Sequence, residues 1–509
     1  MGQRAIPSPR QLSLAFGPGS PIIANAVGRL SALFEENSAA SPVAVAYEYW
    51  RRYRKSAACL SPATPPLFVQ HTYLALLARL VARHFLEPAR APANHQELWQ
   101  VVNGDYFIGF GLENFIGEDF FTWPFFRLSM GIGPEEEALD VVRELSIELA
   151  QFDLSRPSPG LLTEMFHRIS LSGEAPVQPV PRWLAEFLLE EKLLLAQQPD
   201  QAVLDPSCGP GTFLAAAVAS KTIALRKSGQ SPLDVLLQVI SQVAGMTTDP
   251  LAAMIARTGY LLALGGLARE PHPPILVPVY LADANQESAV EVNSASVTVH
   301  SFSTAEGMSL PDRVAGDPMM LDWLFGRLPN YMRGAATRLH AQSEEVAVQE
   351  VLNAYYNYLT SPKSRTPIPE PLTPAAADVM IETARNLVQG YLHGEGHVRL
   401  FIVKNAPAPV FLARRKFDLL VGFGSQPSAA GSLDFFEDCR SVYLNDSGRA
   451  AIVLSSERAE TNRFEYSLAS VGQRLAASSN SMLVTGEIPE NDPGWAEIRD
   501  LNVIEMNPE

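Results

Sequence analysis

The chain has 509 residues, of which 47% are hydrophobic and 18% charged, with a formal net charge of −16. That length suits roughly two or three domains with a sizeable core, and the composition is that of a soluble globular protein. The acidic balance excludes a protein whose whole surface coats nucleic acid, although it leaves room for a local basic groove.

The N-terminal "MGQRAIPSPRQ" has no apolar core of the kind a signal peptide needs. Ile6 stands where a myristoylation signal requires Ser or Thr. Residues 22–160 read as mostly helical. In "HTYLALLARLVARHFLEP", Tyr73, Leu76, Leu77, Leu80 and Val81 fall on one helical face, and Pro88 ends the run. The aromatic stretch "NFIGEDFFTWPFF", with acids at Glu118 and Asp119, reads as a core segment.

From about residue 161 short β-like runs alternate with helical stretches. "AVLDP", "ISQVAGMTT", "ILVPVYLAD", "VRLFIVKN", "FDLLVGF" and "AAIVLSS" read as strands, which predicts a mainly parallel sheet with crossovers. The apolar "LAAMIARTGYLLALGGLA" contains Arg257 and two close glycines, and reads as a core helix, not a membrane span. Two proline-rich stretches, "REPHPPILVP" and "SPKSRTPIPEPLTPAA", read as surface loops. The expected organisation is a helical domain over 1–160, an α/β domain over 161–490 with an insertion at about 285–360, and a tail over 491–509. Cys59, Cys208 and Cys439 are the only cysteines, without metal-ligand or disulfide-framework spacing. A reducing cytoplasm is the simplest setting, and no metal site is expected.

"AVLDPSCGPGTFLAAAVA" is the most informative segment. A strand ends near Leu204, Asp205 follows, and a tight turn carries Gly209 and Gly211 into a helix starting near Thr212. Glycines there let backbone approach a ligand closely. The free amides at a helix start suit a polar or anionic group.

On these residues the chain resembles adenine-N6 DNA methyltransferases of the restriction–modification and phage-defence type, whose pattern is Asp-Pro-x-Cys-Gly-x-Gly-x-Phe-Leu. "GMTTDPLAAMIARTGYLLALG", "PVYLADAN" and "IVKNAPAPVFLARRKFDLLVG" resemble later segments of that family, so the similarity covers most of residues 65–455. The resemblance implies a class I, Rossmann-like methyltransferase domain behind helical N-terminal segments. It implies S-adenosylmethionine (AdoMet) as cofactor, with Asp205, Pro206, Cys208, Gly209, Gly211 and Phe213 shaping the pocket for its methionine part. Asp283 would then face the cofactor's adenine amino group, where a carboxylate accepts N–H donors.

Three segments depart from the family pattern. The acid expected two residues after Gly245, which would hold the ribose hydroxyls, is Thr247, with Asp249 two residues further on. A hydroxyl replaces one hydrogen bond but not a bidentate pair. The family's Gly-Glu-Tyr-Tyr-Thr-Pro is here "GEAPVQPVP" from Gly173, with lost hydroxyls and added prolines. The Asn-Pro-Pro-aromatic catalytic loop is replaced by Phe423, Gly424, Ser425, Gln426 and Pro427, in a loop expected to follow a strand ending at Gly422. In the family the Asn oxygen and the adjacent proline carbonyl accept hydrogen bonds from the adenine amine, aiming its lone pair at the methyl group. Phe423 has no acceptor, and Gly424 is expected to leave the loop floppy where two prolines would hold it.

These departures imply weakened AdoMet binding and impaired or absent methyl transfer. The protein would serve beside a partner that supplies target recognition, nuclease or helicase activity. An active adenine methyltransferase using an atypical loop with Gln426 as acceptor is the alternative, as is a methyltransferase for another amine. DNA contact is implied by the family alone. The basic clusters "RRYRK" (51–55) and "ARRK" (413–416) read more simply as solvated faces.

Overall fold

In a computed structural model of the chain the described residues are 4–56, 62–88, 94–170, 180–361, 370–424, 429–455, 463–475, 482–485 and 503–505. Strands β1 (Val203–Asp205), β2 (Val243–Thr247) and β3 (Val279–Leu281) come first. A separate antiparallel sheet of β4 (Ala289–Val292), β5 (Thr298–Ser301) and β6 (Ser309–Pro311) follows. The main sheet resumes with β7 (Phe417–Gly424), β8 (Leu444–Ser455), β9 (Arg463–Ser470), β10 (Met482–Thr485) and β11 (Val503–Glu505). Its order is β11-β10-β9-β8-β7-β1-β2-β3. The run from β3 to β8 is parallel throughout, and β9, β10 and β11 are added antiparallel. The molecule is therefore α/β with a mixed, largely parallel sheet, compatible with a Rossmann-like fold.

Helices supply the crossovers. Thr212–Lys227 and Pro232–Gln242 join β1 to β2, Pro250–Leu264 leads from β2 toward β3, and Ala429–Tyr443 joins β7 to β8. The chain leaves β1 toward β2 and leaves β7 toward β8, so the order reverses between these two neighbours. A crevice at the carboxyl ends of the strands is expected at such a point.

Two strand expectations need correction. "VRLFIVKN" is the helix Val398–Asn405, not a strand. Periodicity does not separate a short apolar run into one type or the other. Tertiary contacts decide here: Asn405 Nδ2 donates to the Phe401 carbonyl one turn back, and the Phe401 ring lies 5.8 Å from Phe120. Likewise β7 does not stop at Gly422. Phe423 pairs with Val453 and Gly424 with Leu454, so both belong to the ladder and not to a loop. The region outside the main sheet also extends past residue 360, through the helix Pro374–Leu392 to Arg415.

The helix Pro65–Leu86 starts on the Thr64 side chain, with prolines at its first two positions. It is buried almost all round and not on one face: Arg79 and Arg83 lie inside with the leucines. Each guanidinium meets a carboxylate, Asp119 at 2.8 Å and Glu97 at 3.0 Å. A buried cation is tolerated when paired and hydrogen-bonded. Phe120, Phe121, Trp123 and Phe125 are buried, as a core segment requires, and Trp123 donates to Thr72 at 2.8 Å.

The helical half and the sheet share one connected cluster of buried apolar side chains, running from Leu12 to Leu475. Asn114 acts as a strand mimic beside β3, donating to the Val277 carbonyl at 3.0 Å and accepting from its N–H at 2.7 Å. The apolar run Pro250–Arg269 has the length and composition of a membrane span but is mostly buried within this fold. The basic clusters are largely satisfied internally. Arg51 and Arg52 pair with Glu48, Arg414 with Asp312, and Lys416 donates to the Val442 carbonyl.

Candidate cofactor site at the switch point of the sheet

The turn after β1 is built by two glycines with different tasks. Gly209 has φ +50°, and a Cβ there would meet nothing within 4 Å. Gly211 has φ +87°, and its Cβ would sit 2.9 Å from Ala256 on the helix Pro250–Leu264. The first glycine serves backbone conformation over open space, and the second serves close helix packing as well. Cys208 N–H donates to the Met246 carbonyl at 2.8 Å, stitching the turn to β2. Phe213, in the first helical turn, and Pro206 are buried beneath it.

Asp205 ends β1 and is only 1% exposed. Its Oδ1 accepts from the Ser207 N–H at 3.1 Å. No cation pairs with it among the described residues. Burial pushes its carboxyl up to about 8, against that one backbone hydrogen bond, so it is mostly protonated at neutral pH. The same burial raises the thiols of Cys208 and Cys439, and both stay protonated. Asp283, just past β3, is half-buried and accepts from the Asn285 N–H at 3.0 Å.

The position expected to hold a ribose is different. Thr247 ends β2, and its hydroxyl accepts weakly from the Asp249 N–H at 3.4 Å. Asp249 caps the helix Pro250–Leu264 by accepting from Ala252 at 2.9 Å with Oδ1. Its Oδ2 pairs with Arg54 at 2.8 Å. Arg54 holds the carboxyl below its usual range despite burial. Both oxygens of Asp249 are thus committed to the protein. Nothing in the local text marks Arg54 for this role, since it sits in a basic cluster that reads as solvated.

Across the reversal point lies β7. A Cβ at Gly422 would sit 2.6 Å from the Phe436 ring and 3.3 Å from Asp205 Oδ1. A Cβ at Gly424 would sit 2.6 Å from Ser432 Cβ and 2.7 Å from Leu454. Gly424 is therefore glycine because the helix Ala429–Tyr443 crosses close above it, which corrects its expected place in a loop. Cys439 and Tyr443 of that helix donate to Asn285 Oδ1 at 3.3 Å and to the Ala284 carbonyl at 2.6 Å. The helix so bridges β7 to the segment holding Asp283. Phe436 and Ser432 were not legible as site residues, because nothing in their spacing marks them. Ser425, Gln426 and Pro427, and the stretch from Gly173 to Pro179, lie outside the described residues.

The site thus brings together Asp205, Cys208, Gly209, Gly211, Phe213, Gly422 and Asp283, and keeps Asp249 engaged elsewhere. No protein-family model matches the chain, and no curated protein matches it. Solved structures do. An ATP-dependent Type ISP restriction–modification enzyme, LlaBIII, bound to DNA aligns at TM-score 0.39 and 9% identity, over 86% of this chain and 25% of that one. A nuclease-deletion mutant of the Type ISP enzyme LlaGI with a DNA substrate mimic gives 0.38 and 10%, over 87% and 30%. A DrdV–DNA complex gives 0.35 and 11%, over 86% and 35%. The chain spans between a quarter and about a third of the length of these proteins.

Proposed function

We propose that this chain is an AdoMet-dependent DNA adenine-N6 methyltransferase homologue that keeps the cofactor scaffold and has lost efficient methyl transfer. It would work as a subunit beside a protein that supplies target recognition, nuclease or helicase activity. The single observation that carries the loss of transfer is the identity and setting of residues 423 and 424. A side chain without an acceptor and a glycine pressed under a helix stand in the ladder where the family resemblance calls for a rigid oxygen acceptor. Removing a positioned acceptor of this type costs about 3–4 kcal/mol of transition-state stabilisation.

The fit of AdoMet is mixed. The open space over Gly209, the unpaired Asp205 and the half-buried Asp283 suit the methionine and adenine ends. Thr247 and the Arg54-bound Asp249 do not suit a ribose diol. Bound AdoMet would supply an electrophilic methyl group. The chain would contribute backbone at Gly209, the protonated carboxyl of Asp205 and an acceptor at Asp283, and no group to activate an amine from Phe423 or Gly424.

Two assays test this reading. Calorimetry with millimolar AdoMet should show weak binding that is lost in Asp205→Ala. Radiolabelled AdoMet with unmethylated DNA should give no incorporation above the protein-free control. Robust incorporation by the purified chain, abolished in Asp205→Ala, would establish an active enzyme with an atypical loop instead.

A further inference from the structure

A second feature is a separate cavity that shares no lining residue with the glycine turn, and it does not rest on the methyltransferase reading. A cavity of about 250 Å³ is walled by the edge strand β3, the helices Pro250–Leu264, Pro318–Arg338 and Val398–Asn405, and the segment around Glu113. Arg257 lines it and is 3% exposed. Nε of Arg257 donates to the Val279 carbonyl at 2.9 Å, and Nη2 to Asn405 Oδ1 at 3.0 Å. The Phe401 ring lies 5.8 Å from the guanidinium carbon. Among the described residues, no hydrogen bond reaches Nη1 and no carboxylate lies within ion-pair distance.

That is an exception within this molecule. The other buried arginines, Arg54, Arg79 and Arg83, each hold a carboxylate at 2.8–3.0 Å. Burial lowers Arg257 to about 10, so it remains charged at neutral pH. Asp119 and Asp322 act on Arg257 only at a distance, and a buried guanidinium that lines a cavity with no carboxylate in contact offers a seat for an external anion.

The same cavity carries a group of opposite sign that Lys404 and Arg327 influence only at a distance. The Glu113 carboxylate has no hydrogen-bond or ion-pair partner among the described residues, whereas its neighbour Asp322 pairs with Lys404. Asp105 and Glu118, the latter paired with His397, add carboxylates to a wall that also carries Arg333 and Lys404, so the lining has both signs of charge and suits a zwitterion better than a polyanion. The volume is below the roughly 300–1,000 Å³ of pockets for drug-sized molecules. We propose that this cavity binds a free α-amino acid, its carboxylate seated on Nη1 of Arg257 and its ammonium on Glu113.

The test uses the full chain. Thermal shift and calorimetry are run with each proteinogenic amino acid at millimolar concentration, with inorganic phosphate and AMP alongside. At least one amino acid should bind saturably. Its affinity should fall at least roughly tenfold in Glu113→Gln and in Arg257→Lys, the scale of a lost hydrogen bond to a charged group, and should be unchanged in Asp205→Ala. Glu113→Gln removes no side-chain hydrogen bond or ion pair among the described residues, so it decides the matter even if Arg257→Lys fails to fold. Absence of binding by every amino acid overturns the proposal. So does binding of phosphate or AMP in their place, or binding indifferent to Glu113→Gln. Binding lost in Asp205→Ala but retained in Glu113→Gln would assign the ligand to the glycine turn and also overturn it.

Discussion

At the scale of single residues, the protein manages buried charge in two ways: it pairs some groups and neutralises others. Asp249 is paired, while Asp205 keeps its proton. The second choice has a measurable signature. The folded chain holds the Asp205 proton up to about pH 8, whereas an unfolded carboxyl releases it near 3.8. Between those values unfolding releases a proton, so stability attributable to Asp205 falls as pH rises. The unfolding free energy of the native chain, relative to Asp205→Asn, should therefore decline from about pH 4 to about pH 8, by no more than about 1.4 kcal/mol per pH unit. Urea titrations of both proteins across that range measure it, and parallel curves would show that Asp205 is ionised in the folded state. Asp205 itself was legible in the sequence, because an acid between a strand and a glycine turn has a recognisable setting. Its lack of a counter-ion was not, since that depends on which distant side chains fail to reach it.

At the scale of elements, glycines did most to guide the sequence reading and also misled it. The pair at 209 and 211 marks a strand–turn–helix correctly, because backbone conformation is a local property. The two positions should nevertheless respond differently to a methyl group. Gly209→Ala meets only left-handed strain, roughly 1–2 kcal/mol. Gly211→Ala adds a clash with Ala256, and overpacking of this kind costs a further 1–3 kcal/mol or so. Denaturation midpoints of the two variants should therefore separate, with Gly211→Ala the less stable, and equal midpoints would mean that the two helices move apart easily. Gly422 and Gly424 resemble loop punctuation in the sequence. In the fold they are strand residues that make room for Phe436 and Ser432. A glycine chosen for a neighbour's bulk carries no local mark that tells it from one chosen for a turn. The helix Val398–Asn405 was not legible for a related reason: eight residues, five of them apolar, fit either element until Phe120 and β3 are in place.

At the scale of the whole molecule, the helical half is part of the structural support of the sheet. The apolar core crosses residue 160 without a break, and the helix Pro250–Leu264 is buried along nearly its full length. A fragment of residues 161–509 should accordingly be insoluble or aggregated when expressed alone, because it would expose that apolar helix and remove Arg54 from Asp249 at its N-terminus. Soluble yield and size-exclusion chromatography check this, and a monomeric fragment with a cooperative melt would show the halves to be separable. The alternation of strands and helices announced the parallel sheet, because periodicity is written in consecutive residues. The link between halves was hidden, because Arg54 and Asp249 stand 195 residues apart. That distance has a consequence during synthesis. A ribosome adding roughly 5–20 residues per second needs about 10–40 s to go from one to the other. Throughout that interval the nascent N-terminal helices carry an arginine whose acidic mate has not yet been translated. Their final docking must await the arrival of the second β-strand, which makes the early chain a natural client for chaperones.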